Sequence, residues 1–438
     1  MAGAASAAVL VLAACSSGGG GGSISGPSAR PPVVDGVLGF DRDTAVDHDT
    51  QGTGTFRTAS PVFSCGSATD TYAADLITNG PGKAHVRYEW GDVAPGLQAY
   101  AAGTVNGVAF SSADLPFTHP FGPDVTFEMG LDKPYADLAQ VVGKGLSGIP
   151  PGALHTEIAQ GLVPHGPDGD YLAGFTPAEG EWAAAYGPWV IDCGHDDFHT
   201  EIHPPTMLAL AHVDGSTTVS NAFANPYIVT QLFNPDPATA ADLADTKRLE
   251  APTTVIFPNY VVNLILGMLG QGSPAFQGMD RLESHTLIDV NRFAGDITWY
   301  VCAPGTQPSG GTLDVTSNFT TRQGIDVTVT PRDEIGCAEV TASMGPSYTA
   351  APLQRKDCEL DWDQLNMQAG LALMRPDLDI RKAIKDLVPK SIAPKIERNP
   401  VVDCYDPLEA PPVGTSGKAV VDDGQPFPFY GSVEVSWK

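Results

Sequence analysis

Gly324-Ile325-Asp326-Val327-Thr328-Val329 alternates apolar and polar side chains, and so does Gly431-Ser432-Val433-Glu434-Val435-Ser436-Trp437. Successive side chains of an extended chain point to opposite faces, so this alternation buries one face of a strand and wets the other. On a helix the same residues would scatter around the axis and leave no apolar stripe. The pattern recurs at Ala84-His85-Val86-Arg87-Tyr88-Glu89-Trp90, at Asp124-Val125-Thr126-Phe127-Glu128 and at Thr312-Leu313-Asp314-Val315. Between such runs, 48 Gly and 38 Pro cut the chain into segments too short for long helices. The expected fold is therefore mostly β: sandwich- or barrel-like domains with a few short helices. Short helices are predicted over 240–249, 361–374 and 379–388. The apolar run 261–269 is too short to span a membrane and reads as buried core.

Turn-rich stretches near 144–152, 234–239 and 304–311 divide the chain. The expected organisation is a leader over 1–15, a Gly/Ser/Pro tether over 16–35, an N-terminal β region over 36–150, a histidine-rich β domain over 151–235 and a C-terminal β domain with short helices over 236–438.

Chemistry concentrates in Trp189-Val190-Ile191-Asp192-Cys193-Gly194-His195-Asp196-Asp197-Phe198-His199-Thr200-Glu201-Ile202-His203-Pro204-Pro205. On a strand, His199, Glu201 and His203 share one face. Two imidazoles and a carboxylate converging on a point form a ligand set for a divalent metal: zinc first, with iron, manganese or nickel as alternatives. His195 can reach the same place across the turn, with Asp192 beside it. The tetrad His199-Thr200-Glu201-Ile202 repeats His155-Thr156-Glu157-Ile158. If the two strands pair, His155 and Glu157 join the cluster. Three protein ligands leave a position for water, whose pKa the ion lowers, and Asp192 or Glu157 can take the proton. The same residues can equally form a metal-free polar network that braces the fold. A second cation candidate, for calcium, is Asp47-His48-Asp49-Thr50-Gln51-Gly52, preceded by Asp41-Arg42-Asp43. It opens like a calcium loop, but Thr58 stands where an EF-hand needs its closing acid.

Several enzyme classes lack their signatures. There is no Gly-x-Ser-x-Gly elbow, no His-Glu-x-x-His helix, no Walker loop, no Gly-x-Gly-x-x-Gly after a strand and no Cys-x-x-Cys. With 51 acidic residues, no carboxylate pair for glycoside hydrolysis stands out. Fifty-one acids against 24 Lys and Arg give a net charge of −27, which repels phosphate backbones. No nucleic-acid partner is expected. The basic residues Arg381, Lys382, Lys385, Lys390, Lys395 and Arg398 are expected to face acidic surface within the protein.

Leu12-Ala13-Ala14-Cys15 follows a short apolar stretch and precedes Ser16, Ser17 and five glycines. It resembles the lipobox of bacterial lipoproteins. The resemblance implies cleavage before Cys15, lipid on its thiol, and a flexible tether holding the body off the membrane. It departs from the usual leader in having no Lys or Arg among the first ten residues. The implied place is the bacterial cell envelope outside the cytoplasm, on the outer membrane or cell surface, with the membrane as partner. The segment from Trp189 to Pro205 resembles a motif of uncharacterised secreted bacterial proteins, which implies no activity.

Export makes disulfides the expected fate of the remaining six cysteines. Six allow fifteen connectivities. Proximity in sequence favours Cys302 with Cys337 and Cys358 with Cys404, leaving Cys65 with Cys193. A Cys193 thiolate paired with His195 is the competing reading of that cysteine. Two functional readings follow from the sequence. One is a lipid-anchored protein with a metal site in the His195–His203 segment, acting as a metal-dependent hydrolase. The other is a non-catalytic binding or envelope-structure lipoprotein in which that segment is a polar brace.

Overall fold

The computed structural model describes residues 34–40, 87–88, 90–92, 98–110, 121–140, 150–164, 172, 174–192, 199–233, 249–256, 281–291, 295–350, 353–359, 362–363, 379, 381–382, 401–407 and 426–438. Strands dominate them, as the alternation predicts. In chain order these are β1 (Leu38–Phe40), β2 (Arg87–Tyr88), β3 (Trp90–Asp92), β4 (Gln98–Phe110), β5 (Asp124–Leu131), β6 (Ala153–Ala159), β7 (Trp182–Asp192), β8 (Thr200–Ile202), β9 (Met207–Asp214) and β10 (Thr217–Ala224). They continue as β11 (Tyr227–Phe233), β12 (Leu249–Ile256), β13 (Arg281–Val290), β14 (Ile297–Cys302), β15 (Leu313–Thr321), β16 (Ile325–Arg332), β17 (Cys337–Met344), β18 (Leu353–Glu359), β19 (Val401–Pro407) and β20 (Phe429–Trp437).

The largest sheet runs β15-β20-β10-β9-β7-β4-β5-β6-β8. It closes on itself because β8 also pairs with β7, so β4, β5, β6, β8 and β7 form a five-stranded barrel. β7 is long enough to serve two neighbours on one edge. Its Trp182–Tyr186 portion pairs with β9, and Trp189 to Ile191 pair with β8. Closure gives each of these strands a partner on both edges. Every pairing in the barrel is antiparallel except β6 with β8, which is parallel.

The register assigns the two faces of the wall. Val108, Phe127, Thr156, Ile202 and Trp189 are linked by successive cross-strand pairs and share one face. Val125, Met129, Leu154 and Ile158 extend it, and all but Val108 are buried. The facing pair Ala101 and Ala185 supplies the small residues that make room for these large ones. Trp189 is 2% exposed, and its indole N–H donates to the Leu138 carbonyl at 3.3 Å. Leu138 ends the 3-10 turn Lys133–Leu138. The Thr200 hydroxyl donates to that same carbonyl at 2.5 Å and accepts from the Gln140 amide at 2.9 Å. The turn therefore ties β7 and β8 at one point.

A second sheet, β1-β14-β17-β16, shares its core with the first. Phe40 meets Tyr100 edge-on at 5.0 Å, and Trp299 stacks on Phe429 at 5.9 Å. Cys302 and Cys337 stand opposite one another on β14 and β17 and form a disulfide, the predicted first pair. A third sheet runs β18-β19-β12-β13-β11-β2. Cys358 and Cys404 fall on its neighbouring strands β18 and β19, and their side chains lie outside the described residues. So do Cys15, Cys65, Cys193, the candidate calcium loop and most of the three predicted helices; Trp362–Asp363 and Arg381–Lys382 are helical within the latter two. Among the described residues, no helix is long and apolar enough to cross a membrane.

Candidate metal centre

The repeated tetrad determines what the opposite face of the barrel wall carries. β6 and β8 run parallel with His155 opposite Glu201 and Thr156 opposite Ile202. The two copies of His-Thr-Glu-Ile thus lie side by side, offset by two residues. That offset sets each tetrad's polar residues against unlike partners: His155 faces Glu201, and one step further Glu157 meets His203. β5 adds a third column, with Glu128 opposite His155 and Asp124 opposite Ala159. Val190 of β7 closes the row beside Glu201.

The side chains interlock accordingly. The two nitrogens of His155 lie 2.6 Å (Nδ1) from Glu128 Oε1 and 2.8 Å (Nε2) from Glu157 Oε1. His203 Nδ1 lies 2.9 Å from Glu157 Oε2 and 3.3 Å from Glu201 Oε1. His199 Nε2 is 3.9 Å from Glu201 Oε2, and the His199 ring meets His155 edge-on at 5.2 Å. Glu201 has no exposed side-chain surface, and His199 and His203 are each 4% exposed. Two sets of three emerge whose ligand atoms lie within 4.8 Å of one another: His155, His199 and Glu201, and Asp124, Glu157 and His203. Either can hold a metal ion. Metal–nitrogen and metal–oxygen bonds of about 2.1 Å put neighbouring ligand atoms about 3.0–3.4 Å apart; Glu157 and His203 stand at 2.9 Å and His199 and Glu201 at 3.9 Å.

His203 is held from outside the cluster as well. Its amide donates to the Pro188 carbonyl at 3.3 Å. Beyond it, the Asn225 side-chain amide donates to the Pro205 carbonyl, and that of Asn291 donates to the Thr206 carbonyl at 3.1 Å and the Asn225 carbonyl at 2.6 Å. Both asparagines are buried. The Pro204-Pro205 stretch is thus a clamped corner, with β8 stopping at Ile202.

Of the residues predicted from sequence, His155, Glu157, His199, Glu201 and His203 come together. Glu157 sits among the ligand candidates themselves, with an oxygen on each of two histidines. Asp192 is the last residue of β7, its backbone opposite Trp90, and its side chain lies outside the described residues, as does His195. Asp124 and Glu128 are the members the sequence reading missed. The signal for them was the alternating run Asp124 to Glu128, whose two acids fall on the polar face, but nothing in the sequence pairs that run with His155.

Electrostatics follow from burial and contact. Burial alone pushes the His155 imidazole towards its neutral form. Hydrogen bonds to Glu128 and Glu157, with the charges of Glu157 and Glu201, overcome this and hold its pKa well above the usual histidine range. His203 behaves likewise: burial is outweighed by the charge of Glu157 and by hydrogen bonds to Glu157 and Glu201. Burial would raise Glu157, but the His203 charge and contacts with both histidines hold it well below the usual carboxylate range.

The sign of the pH dependence follows for the metal-free protein. The raised histidines stabilise the fold fully below their unfolded pKa of about 6.5, and this is lost as pH rises through their folded values. The lowered Glu157 stabilises fully above its unfolded value of about 4.3 and loses this as pH falls through its folded value. The network contributes most between about pH 4.3 and 6.5. Thermal unfolding of chelator-treated protein should show a Tm that declines from pH 6 towards pH 9. A flat profile would mean that the histidines are not held charged.

Compared with protein-family models, with curated proteins and with solved structures, the chain matches none.

Proposed function

We propose that this chain is a lipid-anchored protein of the bacterial envelope that binds a divalent transition-metal ion in its barrel and uses it in hydrolysis. The observation that carries the metal reading is the parallel pairing of the two His-Thr-Glu-Ile tetrads, which gathers His155, His199 and Glu201 within 4.8 Å. Two imidazoles and one carboxylate are a first-row-metal ligand set that leaves positions for water and substrate, unlike the closed four-ligand sites of structural zinc. Such an ion supplies a water of lowered pKa and polarises a carbonyl or phosphoryl oxygen. The chain supplies the rest. Glu128 fixes the His155 ring through Nδ1 and directs Nε2 into the cluster, and Glu157 is the carboxylate in reach of a proton there.

The test is elemental analysis of the full chain, purified without a histidine tag, beside His199→Ala/His203→Ala. Near-stoichiometric zinc, iron, manganese or nickel that disappears in the folded double variant supports the site and opens a screen of ester, amide and phosphoester substrates. No metal in either, even after incubation with zinc, overturns it. That outcome favours the second reading, a metal-free brace, for which the contact of every ring nitrogen of His155 with a carboxylate already speaks. The anchor rests on Leu12-Ala13-Ala14-Cys15 alone. Radiolabelled palmitate should enter the full chain in a bacterial host and not its Cys15→Ser variant; equal labelling or none removes the lipoprotein assignment.

Glu128 gives a quieter check. As an outer partner of a ligand histidine, its loss in Glu128→Ala should weaken zinc binding by about 10–100-fold with the fold retained. Competition against a chromophoric chelator measures this, and unchanged affinity would place His155 outside the ligand set.

A further inference from the structure

The cluster contains two ligand triads, and the way its carboxylates are shared between them has a consequence for stoichiometry. Glu157 directs Oε1 at His155 Nε2, 2.8 Å away, and Oε2 at His203 Nδ1, 2.9 Å away. Glu201 does the same in the other sense: Oε2 faces His199 Nε2 at 3.9 Å and Oε1 faces His203 Nδ1 at 3.3 Å. Each carboxylate thus presents one oxygen to the His155/His199 side and the other to the His203/Asp124 side. Carboxylates bridge a metal pair in this manner, one oxygen to each ion. Two ions sharing such bridges sit about 3.5–4 Å apart.

We propose that the barrel holds a binuclear metal centre. Its first position is formed by His155, His199 and Glu201, its second by Asp124, Glu157 and His203, and Glu157 and Glu201 bridge the two, so that with two ions bound Glu157 is a ligand and no longer the proton acceptor it is with one. The inference rests on the metal reading above and extends it from one ion to two. Charge supports it. Three buried or nearly buried carboxylates, Asp124, Glu157 and Glu201, together with Glu128, stand against three imidazoles that become neutral on binding metal. One divalent ion leaves that set net negative in a place shielded from water, and two divalent ions bring it to balance.

The positions are chemically unequal. The first offers two nitrogens and one oxygen, the second one nitrogen and two oxygens. Nitrogen-rich sites favour zinc and its late-row neighbours, whereas carboxylate-rich sites also accept manganese or magnesium. Zinc should therefore fill the first position at lower concentration than the second, and manganese should discriminate less between them.

The experiment uses the full chain stripped with a chelator and titrated with zinc by calorimetry, with bound metal counted after gel filtration. A parallel manganese sample is examined by electron paramagnetic resonance for spin coupling. Two zinc ions per chain in two steps, a coupled manganese pair, and a drop to one zinc in Asp124→Ala support the binuclear centre. One zinc per chain in the parent protein overturns it and leaves the single-ion reading standing. Two ions without manganese coupling overturn the bridging. No bound metal at all overturns both readings. The parent titration is decisive even if Asp124→Ala fails to fold.

Discussion

Glu201→Ala is expected to empty the His155/His199 metal position and to destabilise the metal-free protein by about 3–5 kcal/mol, the cost of removing one partner from a buried ion pair. Glu201 is fully buried between His199 and His203. In the metal-free state its carboxylate is one of two that keep His203 charged in a dry environment. Taking it away leaves that imidazole with Glu157 alone and opens a cavity beside Val190, its cross-strand neighbour. The conservative variant separates the two effects. Glu201→Gln keeps the volume and can still hydrogen-bond, so it should unfold within about 1–2 kcal/mol of the parent. Zinc affinity should nevertheless fall by more than about 100-fold, beyond what loss of an outer partner costs. Denaturant titration of chelator-treated protein at pH 6 and metal counting at pH 7.5 read the two effects independently. A stable Glu201→Ala that keeps the parent's full metal content would mean that Glu201 is neither a ligand nor part of a stabilising network.

Trp189→Ala should produce the second large effect, and it acts from the other side of the wall. Trp189 fills the apolar face where β7 meets β8, opposite Ile202, and its indole N–H is bonded to the Leu138 carbonyl. Truncating a buried tryptophan costs about 3–5 kcal/mol, because the surrounding strands recover only part of the lost contact. The same carbonyl holds Thr200, so the change also loosens the strand that presents Glu201. The variant should bind zinc more weakly although no ligand is altered. Trp189→Phe keeps most of the ring and loses the hydrogen bond; about 1–2 kcal/mol and near-parent zinc affinity are expected. Equal losses in both variants would show that the hydrogen bond, and not the packed volume, holds the barrel closed.

Metal loading should reverse the pH trend expected of the metal-free protein. Protons on His155 and His203 compete with the ion, so binding tightens as pH rises, where the charged-histidine network weakens.

The strands were legible because their signal is local. Alternation in Asp124–Glu128, 324–329 and 431–437 is a property of neighbouring residues, and burying one face of a sheet requires it. The chemistry of the site was legible for the same reason. His199, Glu201 and His203 share a face by strand period alone, and the echo of His-Thr-Glu-Ile marked a second stretch that joins the cluster if the two strands pair, as they do. The disulfide between Cys302 and Cys337 followed from closeness in sequence, which one short excursion through β15 and β16 preserves.

What only the tertiary structure decided is register and neighbourhood. The sequence contains two copies of one tetrad but not the two-residue offset between them, and that offset is what sets histidine against glutamate instead of like against like. Moving one strand by a single residue would send every ligand that strand carries to the apolar face. Nor does the sequence reveal that β5 lies on the far side of β6, which brings Glu128 to His155, 27 residues further along the chain, and Asp124 to the more distant His203. Closure of five strands into a barrel sets these relations together. β6 stands between β5 and β8 in that ring, so the polar residues of the three strands occupy neighbouring positions on one face.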